Sequence, residues 1–249
     1  MDELISRLKD AKHVMFITGA GVSTASGLPT YRGVGGVYTD DKSLIPPEIL
    51  MSKAMWKIRP QWVWDHLHKI YAASQGAEPN AAHDAIVMME ALIDKITIVT
   101  QNVDGLHRKA GSDGVIELHG SADSLFCEKC GHKEVPDDFS ALPNLPKCPE
   151  CNHVLRPPVV LFGENLPEMA INSYQKALDS KPDVIIAIGT TGNFPYIVEP
   201  MRFVKEELGG FTAVIDPILS DNFAPYTDAW INESAEIALP KLAGALPAC

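Results

Sequence analysis

Short apolar runs alternate with segments of helical periodicity along the chain, and together they predict the core of the fold. Four runs are rich in apolar and β-branched residues, as expected for buried strands: 13–18, 95–100, 183–188 and 211–215. A segment with helical spacing of its apolar residues precedes each run, in the same order: 2–9, 80–93, 167–178 and 196–208. This alternation predicts an α/β fold built on a parallel, doubly wound sheet.

Two stretches interrupt this alternation. Residues 34–77 carry tryptophans and histidines on probable helices, whereas residues 121–157 are polar, contain proline and hold most of the cysteines. We therefore predict that these two stretches form a smaller second domain, a helical insertion plus a zinc ribbon. The larger, Rossmann-like domain is predicted to comprise residues 1–33, 78–120 and 158–249.

Four of the five cysteines form two Cys-x-x-Cys pairs, Cys127 with Cys130 and Cys148 with Cys151. Two such pairs at this spacing predict a tetrahedral zinc site, and because thiolates fill all four positions the metal would be structural. Gly131 and Asn152 follow the pairs, where tight turns tolerate unusual dihedral angles. A pair of redox dithiols is the alternative. His132 and His153 are possible alternative ligands, although solvated side chains are the simpler interpretation.

Composition excludes some functions. The 249 residues, 46% of them hydrophobic, are enough for a large buried core, and the net charge of −11 argues against a nucleic-acid surface. An acidic face could instead attract lysine-rich protein segments. No apolar run reaches about 18 residues, and the charged first residues differ from a signal peptide, so we expect no membrane partner and a cytoplasmic location. Cys249 receives no role.

The glycine turn after the first predicted strand is a candidate phosphate site. Residues 19–21 read Gly-Ala-Gly, and glycine allows backbone N–H groups to approach an anion at a helix N-terminus. The turn does not complete the dehydrogenase G-x-G-x-x-G pattern, because the third glycine would fall at position 24 and the next glycine is Gly27. The turn alone therefore does not identify a dinucleotide site.

Polar residues follow the predicted strands, where open α/β sheets bind ligands. Gln101, Asn102, Asp104 and His119 all lie at or just past strand ends. A histidine with a pKa near neutrality can take a proton from a ribose hydroxyl, as attack through a sugar oxygen requires. The alternatives are a structural histidine and, for Asn102 and Asp104, simple turn or capping roles.

Five motifs in the same order resemble those of the sirtuin family, in its bacterial type. Residues 19–32 resemble the first sirtuin motif, residues 100–107 the second and residues 118–120 the third. Residues 157–164, after the cysteine-bearing stretch, and residues 189–192, at the end of a strand, resemble two more. The resemblance extends along nearly the whole chain.

The resemblance implies an NAD-dependent protein-lysine deacylase. NAD would be consumed as a co-substrate: the acyl oxygen of a modified lysine attacks the anomeric carbon as nicotinamide leaves, and water then releases free lysine and O-acyl-ADP-ribose. Acylated-lysine proteins or peptides would be the partners. Protein mono-ADP-ribosyl transfer would use the same pocket with another acceptor, and an NAD-sensing or zinc-ribbon binding module and an ordinary NAD dehydrogenase are further alternatives.

The resemblance also assigns roles to single residues. His119 would be the general base, with Asn102 and Asp104 in the nicotinamide pocket and Gln101 on the ribose. Tyr31 would shield the reacting sugar. The complete set of expected cofactor residues is Gly19, Ala20, Gly21, Ser23, Tyr31, Arg32, Gln101, Asn102, Asp104, Gly189, Thr190, Thr191, Asp216 and Ala235.

The peptide substrate is expected on the segment that follows the zinc ribbon. The resemblance assigns it to Val160, Phe162, Gly163 and Glu164, with residues 163–167 as an edge strand on which a peptide would pair through its backbone. The alternative is a plain loop before a helix, since Pro167 would suit a first helical turn.

The sequence departs from the family pattern at three places. Thr191 replaces a common serine and keeps the hydroxyl, whereas Asp216 stands where the family usually has asparagine. Leu67 and Ile70 occupy the positions of a Tyr-x-x-Arg pair that holds the acyl carboxylate in desuccinylating relatives. Because an apolar pair cannot compensate an acidic chain, we predict acetyl or longer neutral acyl groups over succinyl.

Overall fold

The computed structural model describes residues 1–30 and 45–247. Its strands are β1 (His13–Thr18), β2 (Lys95–Thr100), β3 (Val115–Glu117), β4 (Leu125–Cys127), β5 (Lys133–Glu134), β6 (Leu155–Arg156), β7 (Val184–Ile188), β8 (Phe211–Ile215) and β9 (Ala229–Ile231). Its α-helices are α1 (Asp2–Asp10), α2 (Pro47–Leu50), α3 (Lys53–Ile58), α4 (Pro60–Ser74), α5 (Ala81–Glu90), α6 (Leu106–Ala110), α7 (Glu168–Asp179), α8 (Pro195–Glu206) and α9 (Ala235–Ala245). Short 3₁₀ helices cover Ala20–Ser26, Phe139–Ala141 and Ala224–Tyr226.

The main sheet is parallel and has the strand order of a dinucleotide-binding fold. The order is β3-β2-β1-β7-β8-β9, and each neighbouring pair in it is parallel. Numbered by their order within this sheet, the strands run 3-2-1-4-5-6, so the direction of winding reverses between β1 and β7. Ligands of such sheets bind in the crevice outside the carboxyl ends of the strands at this reversal point.

Helices cover both faces of the sheet because its central strands are apolar on both sides. All six residues of β1 and all five of β7 are buried. One hydrophobic cluster joins α1, α5 and α9 to one face, and a second joins α7 and α8 to the other. The predicted doubly wound α/β class is confirmed.

A third hydrophobic cluster belongs to a smaller module. It joins α3 and α4 to β4 and β6, which pair antiparallel, and includes Trp64 among its fully buried side chains. The Trp64 indole N–H donates to the carbonyl oxygen of Leu155 at 2.8 Å, so a helix of the 34–77 stretch is fastened to a strand of the cysteine-bearing stretch. The helical insertion and the ribbon thus share one core, whereas the domain boundaries given above stay predictions.

The predicted elements agree closely with the structure where apolar runs are long. The predicted strands 13–18, 95–100 and 211–215 coincide with β1, β2 and β8, and the run 183–188 differs from β7 by one residue. The three-residue strands β3 and β9 were not predicted, nor was helix α9. Among the described residues, no helix has the length and apolar character needed to cross a membrane.

Candidate functional site

Three glycines bring two loops together at the reversal point of the sheet. A Cβ atom on Gly21 would lie 2.5 Å from the Cα of Gly189, and one on Gly19 would lie 2.7 Å from the Gly189 carbonyl oxygen. The N–H of Gly21 donates to that oxygen at 2.9 Å. Glycine is therefore required because the turn after β1 touches the turn after β7. Since the Gly21 N–H already has this partner, the expected phosphate contact through it stays a prediction.

Gln101 and Thr190 join the ends of neighbouring strands. The Gln101 side-chain amide donates to the Thr190 hydroxyl at 2.9 Å and to the Thr18 carbonyl oxygen at 3.3 Å. These residues follow or end β2, β7 and β1, so one side chain spans three adjacent strands. The structure brings together these two predicted cofactor residues at the carboxyl edge.

Asn102, Ser23 and Asp104 form a hydrogen-bonded cluster beside this edge. The Asn102 amide donates to the Ser23 hydroxyl and to the Gly19 carbonyl oxygen, both at 3.2 Å. The Ser23 hydroxyl in turn donates to a carboxylate oxygen of Asp104 at 2.8 Å, while the other oxygen accepts the Leu106 N–H at 3.0 Å. Asp104 thus also holds the turn that leads into α6, whose N-cap is Gly105, and this agrees with the turn role given as the alternative for this position.

His119 lies just past β3 and is held through both ring nitrogens. Nδ1 lies 2.9 Å from the Gln101 carbonyl oxygen, and Nε2 lies 2.8 Å from the Tyr196 hydroxyl. A carbonyl oxygen only accepts, so Nδ1 carries the hydrogen, and in the neutral ring Nε2 keeps its lone pair. Burial lowers the pKa of His119, although the bond to Gln101 opposes this. The imidazole is therefore unprotonated at neutral pH, as a general base must be.

The chain beyond His119 is anchored to the segment that follows the ribbon. Gly120 has a φ of +76°, and a Cβ atom there would clash with the carbonyl oxygen of Pro158. Gly120 forms an antiparallel bridge with Val159, and the Val160 N–H donates to the His119 carbonyl oxygen at 2.9 Å. Val160 therefore lies directly beside His119, and its contact with a substrate stays a prediction.

The four paired cysteines converge on one point and fit one structural zinc. Their sulfur atoms all lie within 4.8 Å of one another, and the Cys127–Cys151 and Cys130–Cys148 pairs are both 3.5 Å apart. Tetrahedral thiolates at about 2.3 Å from zinc would stand about 3.8 Å apart. Amides support each turn, since the N–H groups of Gly131 and Asn152 donate to the carbonyl oxygens of Cys127 and Cys148.

The dihedral angles and neighbouring histidines support the same assignment. Gly131 and Asn152 have φ values of +77° and +58°, as predicted for the turns after the cysteine pairs. The His132 ring lies 3.0 Å from the Glu134 carboxylate, and the exposed His153 lies outside the cysteine cluster. Within the described residues, the cysteines are therefore the ligand set.

Glu164 is a structural partner of a buried arginine. Arg156 is only 3% exposed, and its guanidinium contacts Glu164 at 2.8 Å and Glu128 at 3.0 Å. It also donates to the Val159 carbonyl oxygen at 2.6 Å. Glu128 lies between Cys127 and Cys130, so this one cation ties the metal turn to the substrate segment. Sequence reasoning did not single out Arg156, because burial of a charge has no sequence signal.

The expected edge strand is a turn. Gly163 has a φ of +82°, residues 163–164 form a turn and bend, and Pro167 precedes α7. This corrects the strand interpretation in favour of a loop before a helix, because Gly163 takes the left-handed position of a turn that is closed by the Glu164 N–H, which donates to the Leu161 carbonyl oxygen at 2.9 Å. Phe162 does form a parallel bridge with Ser52. Peptide binding by Val160, Phe162, Gly163 and Glu164 stays a prediction.

The remaining predicted cofactor residues lie after strands β1, β7 and β8 and at the start of α9. Asp216 directly follows β8 and accepts the Ile218 N–H at 2.9 Å, and burial raises the pKa of its carboxyl group. The Thr191 carbonyl oxygen accepts hydrogen bonds from Ser220 and Asn222. Two further members of the set are Ala20, in the 3₁₀ helix, and Ala235, the buried first residue of α9. Tyr31 and Arg32, also predicted to contact the cofactor, lie outside the described residues.

Two buried histidines and a tyrosine near the site were missed. His107 Nε2 lies 3.0 Å from the Thr18 hydroxyl, and its ring meets that of His83 at 4.8 Å. Burial lowers the pKa of His107 to about 3. Tyr196, the partner of His119, follows Pro195, which is the first residue of α8. A proline is common at a helix start, so Pro195 is the sequence signal that could have placed Tyr196 in a first helical turn.

Known proteins are similar to this chain along most of its length. The family model described as "Sir2 family" matches residues 19–195. A relative from Pseudomonas syringae pv. tomato, named NAD-dependent protein deacylase 2, is 42% identical over 228 residues, which cover 90% of this chain and 92% of the relative.

Two solved structures have the same fold. A crystal structure of a Sir2 homologue–NAD complex has a TM-score of 0.88 at 32% identity and covers 98% of this chain and 93% of that one. A Sir2 protein with a deacetylated p53 peptide and 3′-O-acetyl ADP ribose has a TM-score of 0.84 at 26% identity, with 98% and 96% covered. The chain described here belongs to the Sir2 family.

Proposed function

We propose that this protein is an NAD-dependent protein-lysine deacylase that yields nicotinamide, O-acyl-ADP-ribose and free lysine. The observation that carries the proposal is His119, a neutral imidazole at the carboxyl edge of a 3-2-1-4-5-6 sheet, bonded through Nδ1 to the Gln101 carbonyl oxygen. Its relative in Pseudomonas syringae is named a deacylase, and a structural neighbour contains a deacetylated peptide. Acylated-lysine proteins are the proposed partners and the cytoplasm the proposed location.

The residues at the sheet reversal suit an NAD molecule. Three glycines let the turns after β1 and β7 touch at the reversal point, and the neutral amides of Gln101 and Asn102 are hydrogen-bond donors beside them. When bound, NAD supplies an anomeric carbon whose bond to nicotinamide can break. We propose that the Asn102–Ser23–Asp104 cluster orients the amide end of this ligand, because its members already fix one another's side chains.

His119 is the proposed general base for a ribose hydroxyl. Its bond to Gln101 fixes the tautomer, and burial keeps the ring neutral, so no proton must leave before the reaction. Asp216 and Thr191, farther along the same edge, are the proposed partners of the second half of the dinucleotide. The zinc would hold the ribbon together without touching the reacting groups, because four thiolates leave no open coordination position.

Neutral acyl groups are the proposed substrates. Leu67 is buried in the cluster that also contains Val159 and Leu161, the neighbours of Val160. Ile70, one turn later on α4, is also apolar. Neither side chain can pair with the terminal carboxylate of a succinyl group, which would lose its hydration on entering.

The test combines NAD with acetyl-, myristoyl- and succinyl-lysine versions of one peptide. We expect nicotinamide release coupled to loss of acetyl or myristoyl mass, slow or no reaction with succinyl, and loss of all activity in His119→Ala. His153→Ala, an exposed histidine beside the ribbon, is the matched control and should behave as the parent protein. Nicotinamide release with ADP-ribose attached to protein would favour mono-ADP-ribosyl transfer, and no NAD turnover would contradict both functions.

A further inference from the structure

The Tyr196 hydroxyl is hydrogen-bonded to Nε2 of His119, the nitrogen that would accept a proton if His119 acts as a general base. The two atoms lie 2.8 Å apart, and Tyr196 belongs to the first turn of α8, where Pro195 is the first residue. The described hydrogen bonds of the imidazole therefore run from the Tyr196 hydroxyl to Nε2 and from Nδ1–H to the Gln101 carbonyl oxygen. Both nitrogens are engaged before any substrate arrives.

The tyrosine is held firmly in this position. Its ring stacks on Phe194 with centroids 5.2 Å apart and planes inclined by 9°, and the His119 ring stands edge-on to both. The Tyr174 hydroxyl donates to the Tyr196 carbonyl oxygen at 3.0 Å, which fixes the backbone. Displacing the hydroxyl would require the aromatic stack to move, so a ribose hydroxyl meets the tyrosine oxygen more readily than Nε2.

A phenol hydroxyl in this place can accept and donate at once. One lone pair of the Tyr196 oxygen remains after its hydrogen points at Nε2, and a sugar hydroxyl can donate to it. Tyr196 is half-buried, and its hydroxyl is hydrogen-bonded to His119 at the carboxyl edge of the sheet. Burial also raises the pKa of Tyr196 to about 12, so the phenol keeps its proton at neutral pH.

We propose that Tyr196 is a proton-relay residue between a ribose hydroxyl and His119, an inference that rests on the proposed function. The ribose O–H bond breaks as its proton binds the Tyr196 oxygen, and the original tyrosine proton passes to Nε2. The tyrosine ends neutral, His119 ends as an imidazolium, and the ribose oxygen holds the electron pair. Because the free phenolate is unfavourable at this site, the two transfers occur together.

Tyr196→Phe tests the relay, since it keeps the ring stack and removes the hydroxyl alone. We expect kcat for the acetyl-lysine peptide to fall at least 30-fold, toward the roughly 10²-fold or larger effect of losing a general base. ADP-ribose affinity should change by less than about 10-fold, as for one neutral hydrogen bond. Tyr71→Phe is the matched control, because its hydroxyl has no partner among the described residues. A smaller fall in kcat overturns the relay.

Two further measurements separate this inference from the proposed function. In mixtures of H₂O and D₂O, kcat of the parent protein plotted against the D₂O fraction should be curved, as is typical when two protons transfer together. The same plot for the residual kcat of Tyr196→Phe should be linear. Nitrogen NMR of the NAD-free protein should show that the hydrogen of the His119 ring is on Nδ1. The chemical shift of Nε2 should change in Tyr196→Phe, because that variant removes its hydrogen-bond donor. Hydrogen on Nε2 would overturn the relay and leave the function standing in an active enzyme, whereas absent NAD turnover in the parent protein would overturn the proposed function and the relay with it.

Discussion

The carboxyl edge of the sheet and the cysteine-bearing module hold their polar groups in opposite ways. At the edge, the neutral side chains of Gln101, Asn102 and Ser23 donate hydrogen bonds of 2.8 to 3.3 Å to groups in the neighbouring strand ends and turns, the Asp104 carboxylate among them. In the module, one buried cation, Arg156, and four thiolates hold short strands together. The sheet therefore positions its side chains through backbone geometry, whereas the module depends on a few strong interactions whose removal leaves charges unpaired.

The largest predicted effect is loss of the metal site. Cys148→Ser should reduce bound zinc from one per chain to near zero, because apparent binding free energies of structural zinc are about 10–16 kcal/mol and need every thiolate. We expect proteases to cleave residues 121–157 rapidly while the parallel sheet resists, as measured by limited proteolysis and metal analysis. Cys249→Ser, which changes the cysteine outside the pairs, is the control. One zinc per chain in Cys148→Ser would refute this dependence.

The next largest effect concerns the buried cation. Arg156→Met should lower the free energy of unfolding by about 3–5 kcal/mol, since Glu164 and Glu128 would lose their buried partner. Arg202→Met removes a surface arginine paired with Glu199 and Glu206 and should cost less than about 1 kcal/mol. Urea denaturation measures both. If both variants lost the same free energy of unfolding, the buried arginine of the module would be no more important for stability than a surface arginine.

A double variant sharpens this result. Adding Glu164→Gln to Arg156→Met removes one unpaired charge, so part of the lost stability should return. If the double variant is less stable than Arg156→Met alone, the carboxylate of Glu164 stabilises the loop by another route, through its bond to the Leu161 N–H.

The sheet edge should respond to a single methyl group. Gly21→Ala places a Cβ atom 2.5 Å from the Cα of Gly189 and should cost about 1–3 kcal/mol and weaken ADP-ribose binding, because the two turns must separate. In α9, Gly244→Ala has no atom within 4 Å of the added carbon and should not lower stability. Titration calorimetry with ADP-ribose and thermal unfolding measure the two effects in both variants. Unchanged binding in Gly21→Ala would show that the close contact is dispensable.

The smallest effect appears only in acid. Burial lowers the pKa of His107 to about 3 in the folded chain, whereas an unfolded histidine titrates near 6.5. The stability that neutral His107 contributes is therefore complete above about pH 6.5 and is lost as pH falls toward 3. Between pH 7.5 and pH 5.5, the free energy of unfolding should fall by less in His107→Gln than in the parent protein, and the difference should be at most about 1.4 kcal/mol. Urea denaturation at the two pH values measures it. His13, with a pKa lowered to about 4, contributes in the same range.

Sequence reasoning predicted the sheet and the metal ligands because their signals are local. Buried strands such as β1 and β7 are continuous apolar runs, and a Cys-x-x-Cys turn contains its own geometry. Three-residue strands such as β3 and β9 carry no such signal, since only pairing with a longer neighbour makes them extended.

Contacts between distant segments were beyond the sequence pattern. Arg156 and Glu164 are separated by a proline turn, and their burial arises only when the ribbon packs on the helices. His119 could be found because residues 118–120 resemble a family motif, but its partner Tyr196 lies on a later helix, and no periodicity connects the two. The edge-strand error at residues 163–167 has a different origin, because Gly163 is a local turn signal that the resemblance to an edge strand overrode.

The bridge between Gly120 and Val159 gives the ribbon a modular character. The chain leaves the sheet region at Gly120 and returns at Val159, and the two residues are hydrogen-bonding neighbours. An inserted segment whose ends already touch adds little strain to its host, whatever its length. Ribbons of different size can therefore be exchanged at this junction without moving His119, which makes the junction a natural place for recombination in evolution and for grafting in the laboratory.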